Sequence, residues 1–383
     1  MKGNHRYLLV GAFASVMSLL AGCGLFAPDH SGEVTGRSAT LVEKQLILVG
    51  TYTDKGSEGV YSFTYTPNQQ QIRHTGTFIT PNPTYLAYDK SKGVVFISNE
   101  ESSTDKAMVT AASLDGRSGR LTALNSSYTL GVSPSSIATD SRNYVVTANN
   151  GSGSLTLFKV DGHGLLGQPD WNIVMDQQED ARPQCVLFSP NNKELFLTDR
   201  GLDKVYHFNV SANNPPLTID TNSMSLPTGT APICMTLDAK GEYAYLLSGN
   251  TPYIYVYRHR DGSLDEVQRY ELSVPAHSHG QHLALSGDGK FLYASHSGAT
   301  NAVSIFKVEP TNGTIREVGQ KKVGAMPRHF AISPDGQMLV IACMDSNKIE
   351  FYHRDMTTGL LTDAKSLGVS MSRPAYVLWL EQF

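Results

Sequence analysis

The feature of this sequence that most constrains its fold is a unit that recurs along almost the whole chain. Each unit starts at an anchor residue, and successive anchors are 51, 49, 49, 48, 47 and 47 residues apart: Pro83, Pro134, Pro183, Pro232, Gly280, Pro327 and Pro374. After the anchor come a short apolar run, a turn such as Ser-Pro-Asp-Gly, a second apolar run and an alternating third run. Short runs rich in β-branched and aromatic residues predict β-strands.

The two ends of the chain complete each other. The last unit stops after its first strand, in "RPAYVLWLEQF", whereas the chain enters the repeat at "QLILVGTYT" and "GVYSFTY", a second and third strand without a first. We therefore predict an all-β, seven-bladed β-propeller with four-stranded blades over residues 45–383, closed by a blade composed of N- and C-terminal strands. Residues 374–380 are expected to pair with residues 46–52, which removes an open sheet edge. An open β-solenoid is the alternative, but it needs no complementary ends.

The N-terminus is a separate segment. Lys2 and Arg6 precede an apolar run too short to span a bilayer, and "LAGC" ends at Cys23. This layout resembles the lipobox of bacterial lipoproteins, which implies a signal peptide over residues 1–22, acylation of Cys23 and a lipid-anchored linker over residues 23–44. Gly24, in place of the aspartate that retains lipoproteins at the inner membrane, implies the periplasmic face of the outer membrane. A plain signal peptide with an incidental cysteine is the alternative.

Composition excludes several classes. A net charge of -4 with 17% charged residues gives no basic excess for nucleic acid, and we expect a monomeric domain. Besides Cys23 the chain has only Cys185, Cys234 and Cys343. Three cysteines are few and cannot all pair with one another, so no disulfide framework is predicted. No Gly-x-Ser-x-Gly, His-Glu-x-x-His or phosphate-binding Gly-rich motif occurs.

Several blade segments resemble one known family. "LVGTYT", "NPTYLA", "LTDRGLDKVYHF", "DGKFLYAS" and "PRHFAISPDGQ" are similar to the seven-bladed lactonase propellers, which include 6-phosphogluconolactonases and a fungal carboxymuconate cyclase. The resemblance implies lactone hydrolysis without a cofactor. It also implies that Arg328 and His329, in "PRH", are catalytic.

The sequence departs from that family at four functional sites. Glutamine and cysteine replace a His-x-His pair, isoleucine and cysteine replace Arg-His, a glutamate is missing and an arginine is replaced by serine: Gln184 and Cys185, Ile233 and Cys234, Gly249 or Asn250, and Ser297. Loss of one oxyanion donor or general base costs on the order of a hundredfold in rate or more. We therefore expect little of the family's catalysis to survive.

Equivalent positions near the axis of a propeller can face one another. The residues two places after the anchors are Tyr85, Ser136, Cys185, Cys234, His282, His329 and Tyr376. Thiolate and imidazole are preferred zinc ligands, so Cys185, Cys234, His282 and His329 form a candidate metal ring. Burial of each in its own gap between blades is the favoured alternative, and no metal is predicted. His277, His279, His282 and His296 form a second group, in which His277 and His279 precede the strand and an exposed loop is favoured for these two.

Charged residues near the predicted mouth suggest a small anionic ligand such as a sugar acid, because the guanidinium fork suits carboxylates. The predicted ligand-binding residues are Glu100, Arg182, Asp199, Arg200, His282 and His296. Structural roles are the alternative, with Arg200 paired to Asp199 or Asp203 and Arg328 joining two blades.

Three functions follow from this sequence. The first is a lipid-anchored periplasmic propeller that binds a small anionic ligand or a protein at its mouth and lacks most catalytic residues. The second is an active lactonase that uses Arg328 and His329, and the third is a cell-envelope interaction scaffold. Turnover of a lactone would separate the second function from the other two.

Overall fold

The repeated units fold into seven antiparallel sheets. The computed structural model describes residues 44–175, 180–211, 216–220 and 223–381. The chain divides into the units Met1–Leu41 and Val42–Phe383. The predicted signal peptide, Cys23 and the linker up to residue 43 lie outside the described residues. Among those that are described, no helix is long and apolar enough to cross a membrane.

Each sheet is one blade, and its strands follow one another from the axis outward. The N-terminal strands are β1 (Gln45–Thr51), β2 (Gly59–Thr66) and β3 (Gln71–Ile79). Blade 1 contains β4 (Pro83–Asp89), β5 (Val94–Asn99), β6 (Met108–Leu114) and β7 (Leu121–Tyr128). Blade 2 contains β8 (Pro134–Thr139), β9 (Tyr144–Asn149), β10 (Ser154–Val160) and β11 (Leu166–Val174). Blade 3 contains β12 (Pro183–Phe188), β13 (Glu194–Asp199), β14 (Lys204–Val210), β15 (Leu217–Ile219) and β16 (Met224–Ser225).

The remaining blades repeat this order. Blade 4 contains β17 (Pro232–Leu237), β18 (Tyr243–Ser248), β19 (Tyr253–Arg260) and β20 (Ser263–Glu271). Blade 5 contains β21 (Ser278–Leu285), β22 (Phe291–Gly298), β23 (Ala302–Val308) and β24 (Ile315–Lys322). Blade 6 contains β25 (Pro327–Ile332), β26 (Met338–Cys343), β27 (Lys348–Arg354), β28 (Leu361–Asp363) and β29 (Val369–Ser370), and the last strand is β30 (Pro374–Glu381). Short 3-10 turns occupy Pro67–Gln69, Asn150–Ser152 and Lys365–Leu367.

The ring closes through a composite blade, blade 7, in the order β3-β2-β1-β30. Leu46 lies opposite Leu380 and Thr51 lies opposite Pro374, and the Tyr52 N–H donates to the Arg373 carbonyl at 3.1 Å. The prediction of seven four-stranded blades with a closing blade built from both chain ends is confirmed. In blades 3 and 6 the fourth place is shared by two short strands, β15 and β16 beside β14 and β28 and β29 beside β27. Pairing the two ends leaves neither inner edge open, which is how a propeller avoids an exposed edge strand.

The innermost strand of every blade is irregular next to its anchor. In blades 1–6 the pairing register shifts between the anchor and the residue two places later, and in blade 7 it shifts between Gly50 and Thr51, opposite the anchor Pro374. A bulge of this kind leaves one residue out of the ladder and changes the direction of its side chain. The residue directly after each anchor is therefore the one freed from regular pairing.

The core lies between the blades rather than at one centre. The buried apolar residues of the described chain form seven clusters, and a typical one combines neighbouring sheets. In one of them Tyr293 and Ile305 of blade 5 pack with Phe330 and Ile341 of blade 6. Because each blade buries its faces on two neighbours, a long chain can stay in one ring without one growing core.

Candidate functional site

A cavity of about 510 Å³ opens where the inner strands begin, and all seven blades contribute to its lining. Three kinds of position supply most of the lining. The residues directly after the anchors are Thr84, Ser135, Gln184, Ile233, Gln281, Arg328 and Ala375. Those two places after the anchors are Tyr85, Cys185, Cys234, His282, His329 and Tyr376. Those that follow the second strand, or occupy the equivalent place, are Tyr52, Glu100, Asn150, Arg200, Gly249 and Ser297.

One backbone contact explains why the third kind of position faces the cavity. The residue after the second strand donates its N–H to the carbonyl that precedes the anchor, as Glu100 does to Asn82 at 2.9 Å and Arg200 does to Arg182 at 3.0 Å. This contact places the residue after the second strand beside the anchor of the same blade. Side chains alternate along a strand, so the residue before this position must point the other way.

The alternation corrects two predicted ligand-binding residues, Asp199 and His296. Each pairs directly with an anchor and is 0% or 1% exposed, and neither lines the cavity. Asp199 Oδ1 accepts N–H groups from Arg182, Gly201 and Leu202 at 2.8–3.1 Å, so it holds the backbone of its own blade. The equivalent residues of blades 1 and 2 are the buried Asn99 and Asn149.

Arg182 and Arg200 have different surroundings. Arg182 lies outside the cavity lining, and its guanidinium donates to the Ala181 carbonyl at 2.7 Å. Arg200 is exposed and lines the cavity. Of the two arginines predicted to bind ligand from blade 3, the structure brings only Arg200 to the mouth.

A cluster of three side chains from three blades forms the polar centre of the mouth. Tyr52 Oη donates to Glu100 Oε2 at 2.9 Å, and Arg328 Nη2 lies 3.6 Å from the same oxygen. The guanidinium carbon of Arg328 lies 5.1 Å from the centre of the Tyr52 ring. The side chains of Arg328 and Glu100 are 26% and 19% exposed, so a ligand in the cavity can reach both. We call Tyr52, Glu100 and Arg328 the mouth triad.

Tyr52 acts in the mouth triad as a neutral donor. Burial raises the pKa of its hydroxyl well above the ordinary value, with a further contribution from the Glu100 carboxylate. The Arg373 guanidinium carbon also lies 4.8 Å from the ring centre, and Arg373 Nη1 forms an ion pair with Asp54 Oδ2 at 2.5 Å. These contacts hold the ring in place, and burial keeps the proton on its hydroxyl.

Beneath the mouth, four aromatic rings from neighbouring inner strands form an axial stack: His282, His329, Tyr376 and Tyr85. The successive ring centres are 3.8, 3.8 and 4.2 Å apart. Burial lowers the pKa of His282 to about 3 and lowers the pKa of His329 well below its usual value. The Val377 N–H donates to His329 Nδ1 at 3.3 Å, so the proton of the neutral ring is on Nε2.

An imidazole whose pKa is held well below its usual value is a weak general base at neutral pH. His329 lies at the floor of the cavity as part of the axial stack. It directly follows Arg328, the other residue of the predicted catalytic pair. The structure brings Arg328, Arg200, Glu100, His282 and His329 together in one lining.

Comparison with known proteins gives the family. The model of the family described as "Lactonase, 7-bladed beta-propeller" matches residues 46–379. The chain belongs to this lactonase family. A 6-phosphogluconolactonase of Bacillus subtilis (strain 168) is 28% identical over 354 residues, which are 88% of this chain and 99% of that protein.

Two solved structures of lactonase-family propellers are similar to this one. A Bacteroides fragilis protein, provisionally described as a 6-phosphogluconolactonase, has a TM-score of 0.84 and 32% identity, and the match covers 90% of this chain and 99% of that chain. A periplasmic gluconolactonase of Pseudomonas aeruginosa has a TM-score of 0.82 and 25% identity, covering 89% and 100%.

The positions predicted from the sequence to depart from the lactonase-family pattern also line this cavity. They are Gln184, Cys185, Ile233, Cys234, Gly249, Asn250 and Ser297, from blades 3, 4 and 5. The mouth triad belongs instead to blades 7, 1 and 6, across the ring closure. The mouth triad thus lies away from these positions, whereas Arg200 shares blade 3 with Gln184 and Cys185.

Sequence reasoning missed Tyr52 and undervalued His279. Tyr52 follows β1, which stands in the second position of blade 7, so it is equivalent to Glu100; aligning second-strand ends across the composite blade reveals it. His279 lies in β21 rather than in a loop, lines the cavity and has its Nδ1 3.3 Å from the Gly249 carbonyl.

The candidate metal ring has another arrangement. Cys234 Sγ lies 3.6 Å from His282 Nδ1, and His282 stacks on His329. Within residues 44–175, 180–211, 216–220 and 223–381, no group of three or more His, Cys, Asp or Glu side chains is placed to hold a metal ion. The faces of the His282 and His329 rings are in contact with each other.

Proposed function

We propose that the mouth of this lactonase-family propeller binds a sugar lactone and hydrolyses it to the sugar acid, with Glu100 as general base and Arg328 as the cationic group. The mouth triad carries the proposal. It places a carboxylate and a guanidinium 3.6 Å apart on the wall of a cavity of about 510 Å³, a volume suited to a small ligand.

The charges of the lining suit this reaction. Apart from histidine, the charged side chains of the lining are Glu100, Arg200 and Arg328. Two guanidinium groups against one carboxylate leave an excess of positive charge for the oxyanion of the tetrahedral intermediate and for the product carboxylate. Both contacts of Glu100 described above fall on Oε2, and among the described residues no partner of Oε1 is found.

The steps follow from these positions. Glu100 Oε1 takes a proton from water, and the hydroxide oxygen bonds to the lactone carbonyl carbon. Arg328 stabilises the negative charge on the former carbonyl oxygen. Collapse of the intermediate breaks the bond to the ring oxygen, which receives the proton from Glu100. Water is consumed, the hydroxy acid is formed, and its ionisation releases one proton.

The relatives support a sugar lactone as the substrate class. The Bacillus subtilis relative is named a 6-phosphogluconolactonase and the Pseudomonas aeruginosa relative a periplasmic gluconolactonase. We propose an unphosphorylated aldonolactone as the substrate, because the export that we propose below would bring the protein to sugars outside the cytosol.

The test is proton release from glucono-δ-lactone, followed with a pH indicator and corrected for spontaneous opening. Glu100→Gln should lower kcat by on the order of a hundredfold, because the amide cannot accept the proton. Glu271→Gln, at the exposed end of the outer strand β20, is the matched control and should keep the wild-type rate. Equal rates for wild type and Glu100→Gln would contradict the proposal.

Binding without turnover is the second candidate, because of the four departures from the family pattern that line the same cavity. In that case gluconate binds in a calorimetric titration, Arg328→Ala abolishes binding, and wild type opens no lactone above the spontaneous rate. Binding of a protein partner at the mouth remains a prediction and needs a stoichiometric partner from solubilised envelope.

We further propose that the protein is anchored to the periplasmic face of the outer membrane through an acylated Cys23. Residues 1–22 have the layout of a signal peptide ahead of that cysteine. Metabolic labelling with a fatty acid should mark the wild-type protein, and Cys23→Ser should abolish the label. A labelled Cys23→Ser variant would refute acylation at this residue.

A further inference from the structure

Two cysteines occupy equivalent positions on neighbouring inner strands. Cys185 in β12 and Cys234 in β17 each lie two places after their anchors, and both line the mouth cavity. They are 6% and 5% exposed and are free thiols. Their burial is therefore against the cavity wall, where a small solute in the mouth can reach them.

The two thiols interact across the boundary between blades 3 and 4. The Cys185 and Cys234 side chains lie close enough for each to shift the pKa of the other. Cys185 Sγ lies 3.8 Å from the Met235 carbonyl, next to Cys234, while Cys234 Sγ lies 3.7 Å from the Leu283 carbonyl and 3.6 Å from His282 Nδ1. Cys185 therefore occupies the same place relative to Cys234 that Cys234 occupies relative to His282, and the side chains of Cys234 and His282 are in contact.

The two sulfurs are not equivalent. The interaction with Cys234 lowers the pKa of the Cys185 thiol, against the effect of burial. The same interaction, together with burial, raises the pKa of Cys234 well above its usual value. The thiolate, which is the reactive form, therefore forms on Cys185.

We propose that Cys185 and Cys234 form a redox-active dithiol, with Cys185 as the attacking sulfur and Cys234 as the resolving sulfur, which reacts with small disulfides that enter the mouth. The Cys185 thiolate bonds to one sulfur of the disulfide and releases the other as a thiolate. Cys234 then loses its proton, bonds to Cys185 Sγ and displaces the second thiolate. Two protein thiols are oxidised to one disulfide, and the small disulfide is reduced to two thiols.

Cys343 provides an internal control. It is 0% exposed, lies outside the cavity lining, and has Sγ 3.6 Å from the Glu350 carboxylate. Burial and the neighbouring carboxylate both raise the pKa of its thiol, so its thiolate is disfavoured. A reagent that acts through the mouth must spare Cys343, whereas a reagent that acts on unfolded chains must not.

The experiment treats the purified full-length protein with 2-hydroxyethyl disulfide, quenches in acid and assigns each cysteine by peptide mapping. We expect a cross-link between the Cys185 and Cys234 peptides, reversed by dithiothreitol, with Cys343 unmodified. Cys185 should react at least on the order of tenfold faster than Cys343.

Two variants resolve the order of attack. Cys234→Ser should accumulate the mixed disulfide on Cys185, because no resolving thiol remains, whereas Cys185→Ser should leave Cys234 largely unmodified. Modification of all three cysteines at one rate, modification only in denaturant, or a mixed disulfide that persists on wild-type Cys185 would each overturn the proposal. The wild-type map decides the question even where a variant fails to fold.

Discussion

At the scale of single residues, one place along a strand decides whether a side chain faces the cavity or supports the backbone. Glu100 and Arg200 line the mouth, whereas their neighbours Asn99 and Asp199 are fully buried and bond to their own blades. Asn99 Nδ2 donates to Thr80 Oγ1 at 2.8 Å, the same kind of local support that Asp199 gives to Arg182. The polar character of these buried residues therefore serves the fold.

His296 occupies this buried position in blade 5, and it makes stability depend on pH. Burial lowers its pKa to about 4, whereas in the unfolded chain it is about 6.5. Between these values the unfolded chain binds a proton that the folded chain does not, so stability is lost as the pH falls below about 6.5. His282 and His329 act in the same direction because burial lowers their pKa values as well.

We predict that His296→Asn flattens this dependence, since asparagine stands at the equivalent position in blades 1 and 2. From about pH 6 to about pH 4.5 the free energy of unfolding should fall less steeply in the variant, by about 1 kcal/mol per pH unit. Urea titrations of both proteins across this range supply the slopes. Parallel slopes would show that His296 titrates normally in the folded protein.

At the scale of elements, the closing strand β30 carries a tryptophan, Trp379, that reaches from blade 7 into blade 6. Trp379 is 7% exposed, with ring centres 5.6 Å from Tyr65 and 6.0 Å from Phe351. Tyr65 belongs to β2 and Phe351 to β27, so this side chain joins the composite blade to its neighbour. Closure of the ring thus rests on packing as well as on the β1–β30 ladder.

Trp379→Ala should therefore lower the free energy of unfolding by about 3–5 kcal/mol, the usual loss for a large buried ring. Trp171, the other tryptophan of the sequence, is partly exposed on the outer strand β11 and supplies the matched control. Its replacement by alanine should cost about 1 kcal/mol. Urea unfolding of both variants measures the two losses in the free energy of unfolding. Equal losses would mean that Trp379 in the closing strand contributes no more to stability than Trp171.

The elements also show what a sequence can and cannot give. The blade number and the pairing of residues 46–52 with residues 374–380 were predictable, because repeat spacing and complementary ends are visible in the chain. The bulge after each anchor was not, because the bulged residues share no chemistry: Thr84, Ser135, Gln184, Ile233, Gln281, Arg328 and Ala375. Asp199 and His296 were misplaced for a related reason, since only the register tells a buried strand end from the next, cavity-facing residue.

At the scale of the whole molecule, ring closure assembles a site that no single blade contains. Tyr52 comes from the N-terminal strands, Glu100 from blade 1 and Arg328 from blade 6, so the mouth triad exists only when the two chain ends are paired. The dithiol of Cys185 and Cys234 lies in blades 3 and 4 of the same mouth. The mouth triad and the two cysteines thus belong to different sectors of one cavity.

A crystal structure of the Glu100→Gln variant grown with glucono-δ-lactone tests this account most directly. We predict sugar density in the mouth, with the lactone carbonyl or the product carboxylate within about 3 Å of the Arg328 guanidinium and a sugar or water oxygen at hydrogen-bond distance from position 100. An empty mouth, or a sugar bound away from both side chains, would contradict the account.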